Sequence, residues 1–281
     1  MHKNLLKFYM FSVIMLFVFI NIFPSIFINI NNCLNYIKVK TLIAFEWKKD
    51  IEISIYKDRG NVIIALDDGW KTQYTVGYNY MHKKKMRGSI AVIPSLIGQN
   101  GYMNMGDLYK LYDDNWDLLN HTYSHIILSK NNMSKQTNDI NKADEWFCKN
   151  GFVNPSKILI YPEGEYNSNT ITIMRELNYI SGRSTEDGFN PKMPLNLYDI
   201  KVKNVFSNTP PNDVNDWIDY TINNKLTLIL LFHKLENDVD KSLMKYKKEN
   251  FYKIVDYIDK KRDDLNIITY SEWMQTDIIN K

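Results

Sequence analysis

"NVIIALDDGW", residues 61–70, begins as an apolar run and ends on two acids, a glycine and a tryptophan. A short continuous apolar run of this kind suits a strand buried on both faces, as strands of a parallel sheet are. The same stretch places Asp67 and Asp68 at the carboxyl end of that strand, before Gly69. Asp-Asp-Gly is also a common turn, and Asp commonly caps a following helix. The surrounding chain decides which reading holds.

Outward from this stretch the same rhythm repeats. "GSIAVIP" (88–94), "WDLLN" (116–120), "KILIYP" (157–162) and "LTLILLFH" (226–233) read as further strands. Weaker strands are expected at "YISGR" (179–183), "LYDIKV" (197–202) and "LNIITY" (265–270). Helical stretches fall between them, over 71–84, 105–114, 133–151, 169–178, 213–224 and 247–261. In the helix over 133–151, Ser134 is the expected N-cap and Gly151 the expected stop. Strands alternating with helices at this pitch imply an α/β fold with a parallel sheet covered by helices. Seven or so such units in about 210 residues suit a closed or nearly closed barrel, with a doubly wound open sheet as the alternative. In both folds the reactive ends are the carboxyl ends of the strands.

The amino-terminal end reads differently. No charged residue occurs between Lys7 and Lys38, and Phe8–Ile30 is long enough to cross a bilayer as a helix. Lys3 and Lys7 precede it, which keeps the amino terminus cytoplasmic. No A-x-A-like cleavage site follows, so an uncleaved single-pass membrane anchor is expected ahead of a cleaved secretory signal. Three segments result: a cytoplasmic stub and anchor (1–37), a connector with short strands such as "IEISIY" (38–60), and a globular domain (61–281). Either reading exports the domain.

Composition narrows the function. The chain is 44% apolar and 24% charged, with a net charge of +3, which is ordinary for a globular protein. The lysines are dispersed and partly offset by acids, so no nucleic-acid partner is indicated. The basic run "HKKKMR" (82–87) reads as the solvated end of a helix. Cys33 and Cys148 fit no metal or redox spacing, although a disulfide between them is possible.

Four strands end on residues that a core would not select. Asp67 and Asp68 follow the first, "HTYSH" (121–125) follows the third, "YPEGEYN" (161–167) continues the fourth, and His233 ends "LTLILLFH". In a parallel fold these groups converge on one rim. Neighbouring residues of an extended chain point in opposite directions, so Asp67 and Asp68 can do different jobs. His121 and His125, four apart, would project from one side of a helical turn with Thr122 as its start. Two histidines and one Asp make a metal site with open positions for water and substrate. A metal there acidifies its water and polarises a carbonyl. The second Asp can accept a proton and His233 can donate one. These are the parts of metal-assisted amide or ester hydrolysis.

At these residues the chain resembles the polysaccharide deacetylases that share the NodB homology domain. "ALDDG" (65–69) is similar to the family's [TS]-F-D-D-G, and "HTYSH" to its H-[ST]-x-x-H. "YPEGEYN" matches Y-P-Y-G-x-Y-N except at Glu163, and "LLFH" (230–233) matches the final L-x-H. The resemblance covers about residues 61–275. It implies a distorted (β/α) barrel of about seven parallel strands and removal of acetyl groups from a polymeric sugar. It implies Asp67 as base, His233 as acid, and Asp68, His121 and His125 as ligands of a divalent metal ion, Zn2+ ahead of Co2+ or Ni2+. Tyr161, Pro162 and Glu163 would line the substrate, with the Glu163 backbone N–H holding the oxyanion. Two family features are missing. The Arg that holds the base is replaced by Ile160, and the Asp-Trp that positions the acid has no clear match. Asp199 is a weak candidate for it, and Asp216-Trp217 reads as structural.

The expected substrate is an acetylated extracellular polysaccharide, either peptidoglycan or an exopolysaccharide of N-acetylated sugars. Two other readings stand beside it: a non-catalytic glycan-binding relative, and a metal hydrolase of another amide or ester. Trp70 and Tyr123 are candidates for sugar stacking.

Overall fold

The structure is a computed structural model of the chain and describes residues 59–152, 157–237 and 242–279. The expected anchor and connector lie outside the described residues. Among the described residues no helix is long and apolar enough to cross a membrane. The elements named below lie in one compact unit, apart from the last residues of one helix.

Seven parallel strands run in sequence order: β1 (Gly60–Leu66), β2 (Ser89–Val92), β3 (Asp117–Asn120), β4 (Ile158–Ile160), β5 (Ser181–Asp187), β6 (Ile200–Asn204) and β7 (Thr227–Phe232). β7 pairs with β1 along Asn61–Leu66 and closes the barrel. Two short strands, β8 (Lys234–Glu236) and β9 (Lys245–Lys247), pair with each other beyond it. A last strand, β10 (Leu265–Ile267), pairs with Gly60–Val62 of β1, on the side where β2 joins only at Ala65 and Leu66. β10 therefore wedges β1 from β2 at the amino end, which distorts the barrel.

The helices follow the expected pattern. A π-helical turn (Gln73–Tyr78) runs into α1 (Asn79–Lys83), and α2 (Met105–Asp113), α3 (Met133–Lys149) and α4 (Ser168–Glu176) follow. α5 (Pro211–Asn224), α6 (Lys248–Lys260) and α7 (Tyr270–Ile279) complete the set. Asn104 with Asp107, and Asn167 with Thr170, form reciprocal capping boxes that satisfy backbone donors at the starts of α2 and α4. The cap of α3 lies two residues earlier than expected. Asn132, not Ser134, is its cap, accepting the Lys135 N–H at 2.9 Å. The final strand is shorter than expected because "TYSE" starts a helix. The Thr269 N–H donates to Glu272 Oε2 at 2.9 Å, and the Glu272 N–H donates back to Thr269 Oγ1 at 3.3 Å.

Alternation along the strands builds the interior. Ile63 and Ala65, Ala91, Leu119, Ile158 and Ile160, Ile200 and Val202, and Ile229 and Leu231 form one buried cluster. Each Ile, Leu and Val among them contributes about 1.5–3 kcal/mol on burial. Tyr270 and Trp273 of α7 join the same cluster. The start of α7 grips the amino ends of three strands. The Tyr270 N–H donates to Ser89 Oγ at 2.9 Å, the Ser271 N–H to Asp117 Oδ2 at 2.8 Å, and the Tyr270 and Ser181 hydroxyls meet at 2.9 Å. One end of the barrel is thus sealed. Continuing the inward alternation towards the other end, past Ala65, Leu119, Arg183, Val202 and Leu231, leads to Asp67, His121, Thr185, Asn204 and His233, which all line one cavity.

Candidate active site and metal centre

The cavity at the carboxyl ends of the strands is about 220 Å³ and is lined by Asp67, Asp68, His121, His125 and His233, together with Tyr161 and Glu163. The strands bring every expected site residue except Pro162 to its wall, and Pro162 is buried in the turn between Tyr161 and Glu163.

Asp67 is 3% exposed, and its N–H donates to Phe232 O at 3.0 Å, which fixes it to the strand that carries His233. Its Oδ2 lies 2.5 Å from Nη2 of Arg183, a residue of β5 that is itself 1% exposed. Arg183 supplies from the next strand the cation that Ile160 cannot. Gln73, also buried, donates Nε2–H to Asp67 O, and the same Nε2 reaches His233 O at 3.1 Å. Both Arg183 and Gln73 escape a motif-based reading. The available signal was the need of any buried guanidinium for an anion.

Asp68 sits at φ +82°, and Gly69 follows at φ +79°, so the chain turns sharply off β1. Asp68 Oδ1 lies 3.5 Å from His121 Nε2 and 3.7 Å from His125 Nε2. Two ligands about 2.1 Å from a tetrahedral ion are separated by about 3.4 Å, so this donor set fits one divalent first-row metal. One donor atom from each of the three residues lies within 4.8 Å of the others. His121 Nδ1 is 2.8 Å from Ile160 O, which fixes that nitrogen as the donor and leaves Nε2 for a metal. Burial alone would raise the Asp68 carboxyl. The hydrogen bond and charge of His121, with the charges of His233 and His125, outweigh it and hold the group well below the usual carboxylate range. For His121, burial opposes the charged form, but Asp68 and Asp67 push its pKa above the ordinary value. Burial and the neighbouring His121 push His125 down.

The histidines do not share a helical turn. Residues 121–125 form an irregular loop in which Thr122 and His125 both have φ +58°. A β-branched residue in that conformation must be held there. The Thr122 N–H donates to Asn120 Oδ1 at 2.8 Å. Asp139 of α3 accepts from Ser124 N–H at 3.0 Å and from Ser124 Oγ at 2.7 Å. Thr122 is thus a loop residue and not a helix start.

After β4 the chain enters a tight turn in which Glu163 has φ +57°. Its side chain is exposed, and among the described residues its N–H has no partner. Tyr161 has its hydroxyl engaged elsewhere. Its ring is buried against Tyr166, and its hydroxyl donates to Tyr198 O at 3.0 Å. A side chain at Gly182 would collide with that hydroxyl, so glycine is required there. Among the described residues no carboxylate is hydrogen-bonded to the His233 ring. Asp199 is engaged by Tyr166, and Trp217 on α5 packs under Lys203. Neither stacking candidate is open on both faces. Lys142 Nζ lies 3.9 Å over Tyr123, and Trp70 is flanked by the Tyr102 ring and by Lys234 Nζ.

Residues 55–181 match the family model described as polysaccharide deacetylase. YxkH of Bacillus subtilis (strain 168), named as a candidate polysaccharide deacetylase, is 26% identical over 127 residues, which is 45% of this chain and 45% of that protein. The match thus spans about half the length of that curated relative. The Xyl-CE4 domain of a multidomain xylanase from the hindgut metagenome of Trinervitermes trinervoides aligns with a TM-score of 0.52 at 11% identity, over 78% of this chain and 91% of that one. A mutant of the peptidoglycan deacetylase PdaC from Bacillus subtilis aligns at 0.50 and 15% identity, over 79% and 93%. At such identities the structural likeness is one of fold.

Proposed function

We propose that this chain, whose residues 55–181 match the polysaccharide deacetylase family model, is a metal-dependent hydrolase removing N-acetyl groups from an extracellular polysaccharide. The observation that carries this reading is the convergence of a cation-held Asp67, an Asp68–His121–His125 donor set and His233 on one cavity.

A divalent ion at Asp68, His121 and His125, Zn2+ ahead of Co2+ or Ni2+, would supply Lewis acidity to the acetyl carbonyl and lower the pKa of water. The chain's own residues do the rest. Asp67, held by Arg183, accepts the proton from the attacking water. The Glu163 N–H faces the oxygen on which negative charge develops, a role that side-chain identity hardly affects. His233 stands across the cavity and donates a proton to the sugar nitrogen as the carbon–nitrogen bond breaks, so acetate and a free amine leave. A cavity of about 220 Å³ suits an acetamido group with part of its ring, not a buried oligomer.

The Phe8–Ile30 stretch supports a single-pass anchor with the domain outside the cell, the alternative being secretion after cleavage. Peptidoglycan and N-acetylglucosamine-type exopolysaccharide are the substrates this location favours. The purified chain should release acetate from N-acetylglucosamine oligomers or peptidoglycan when supplied with Zn2+ or Co2+. No release from any acetylated glycan, with metal bound, would sink the proposal. The lack, among the described residues, of a carboxylate hydrogen-bonded to the His233 ring favours a second reading, a glycan binder without turnover. Asp67→Asn separates the two. In an enzyme it abolishes acetate release and spares glycan binding; in a binder there is no release to lose.

A further inference from the structure

The two oxygens of Asp68 are committed to different partners. Oδ1 faces His121 and His125, at 3.5 and 3.7 Å, whereas Oδ2 accepts a hydrogen bond from Trp70 Nε1–H at 2.9 Å. The indole is clamped. Tyr102 stacks on it with centroids 4.2 Å apart and planes at 22°, and Lys234 Nζ lies 3.9 Å from its centroid. One ring face cannot hold both groups at that distance, so they take opposite faces. The backbone is tied as well: Trp70 and Tyr102 form an antiparallel bridge, the Lys71 N–H donates to Gly101 O at 2.8 Å, and the Met103 N–H to Gly69 O at 2.9 Å. Lys234 directly follows His233 and lies 3.8 Å from Glu236. The indole is therefore wedged between the loop carrying Tyr102 and the start of β8, directly after the proposed acid.

A carboxylate can hold an ion through one oxygen or both. An indole N–H is a donor only, with no acceptor to exchange for it. Bound to Oδ2, it competes with any ion for that oxygen. We propose that Trp70 is a positioning residue of the metal centre: it restricts Asp68 to coordination through Oδ1, so that the positions a second oxygen would fill stay open for water and the substrate carbonyl. The inference rests on the metal centre of the proposed function.

The test uses the full chain and its Trp70→Phe variant, which keeps an aromatic ring and loses the N–H. Each is titrated with Co2+ alone, read by visible absorption, and with Zn2+ against a chromophoric chelator. The metal-free forms are compared by thermal unfolding. The variant should bind Zn2+ about 10–100-fold more weakly. Its Co2+ bands should weaken as the coordination number rises, while its metal-free unfolding midpoint stays close to that of the parent. Identical Co2+ spectra and equal Zn2+ affinity would overturn the proposal alone. A parent chain that binds neither ion would overturn it together with the metal-centre reading. Where Trp70→Phe fails to fold, 3-benzothienylalanine at position 70 replaces the N–H by sulfur, keeps the fused ring, and gives the same two readouts.

Discussion

Arg183 Nη2 and Asp67 Oδ2 lie 2.5 Å apart across the barrel interior, joining residues 116 positions apart in the chain. Both are sealed from water, at 1% and 5% side-chain exposure. Removing one partner of such a pair leaves a buried charge uncompensated, which costs about 3–5 kcal/mol. Arg183→Met should therefore lower urea-unfolding stability by about that much, out of roughly 5–15 kcal/mol typical of a domain. Acetate release should fall more than a hundredfold. Adding Asp67→Asn should restore much of the stability, since no bare charge remains, and none of the activity. Equal stability of the single and double variants would show that the pair does not act as a unit.

That pair marks the boundary of what the sequence made legible. The apolar runs gave the strand order and the barrel, because a parallel strand buried on both faces has few other compositions. Asp67, Asp68, His121 and His233 could be placed on one rim because strand ends in such a fold share an edge. Arg183 was hidden by the opposite circumstance. It sits inside β5, a strand of Ser, Gly and Thr whose apolar signal is weak, and its partner lies on a strand far away in sequence. The loop of "HTYSH" was misread as a helical turn because its shape comes from α3. Asp139 and Asn120 hold Thr122 and Ser124 in place, and no local pattern announces that.

Asp139 gives the second prediction. Asp139→Ala leaves the Ser124 N–H and hydroxyl without acceptors, at a cost of about 1–3 kcal/mol. The loop carrying both histidines should then sample other geometries, and Zn2+ affinity should drop about tenfold. Competition with a chromophoric chelator measures the affinity and urea unfolding the stability. A stability loss with unchanged affinity would mean that the loop is shaped by Asn120 alone.

Metal uptake should release a proton as the pH falls below the raised His121 value. In the metal-free chain Asp68 is ionised and His125 is neutral, because their pKa values are pushed down. His121 is pushed up from its ordinary value, and on the acid side of that raised value it holds a proton that a metal must displace from Nε2. Lowering the pH strengthens the proton as competitor, so apparent affinity falls on the acid side of the raised His121 value, by up to about tenfold per unit. Above that value the dependence flattens. Calorimetric Zn2+ titrations in buffers of differing ionisation enthalpy should report a proton release that grows towards about one per ion as the pH is lowered through that value. Release of none would contradict the charge state assigned to His121.

Glu163 should set the charge preference of the cavity. Its carboxylate is exposed on the rim beside His125, on a backbone held at φ +57°, a conformation that positions the side chain at the mouth. The family's tyrosine at this place is neutral, so an acid here changes the field without touching the N–H proposed for the oxyanion. A neighbouring ammonium on a partly de-acetylated polymer would be attracted by roughly 1 kcal/mol, an order of magnitude set by solvent exposure. Glu163→Gln should therefore raise KM about threefold to tenfold for partly de-acetylated, cationic oligomers and leave fully acetylated, neutral ones nearly unchanged. Screening at 0.5 M salt should erase the difference between the two chains, because exposed charges a few ångströms apart lose most of their interaction there. Acetate release measured on both oligomers at low and high salt provides the check. A KM increase of equal size for neutral and cationic oligomers would instead place Glu163 in shape recognition, with its charge immaterial.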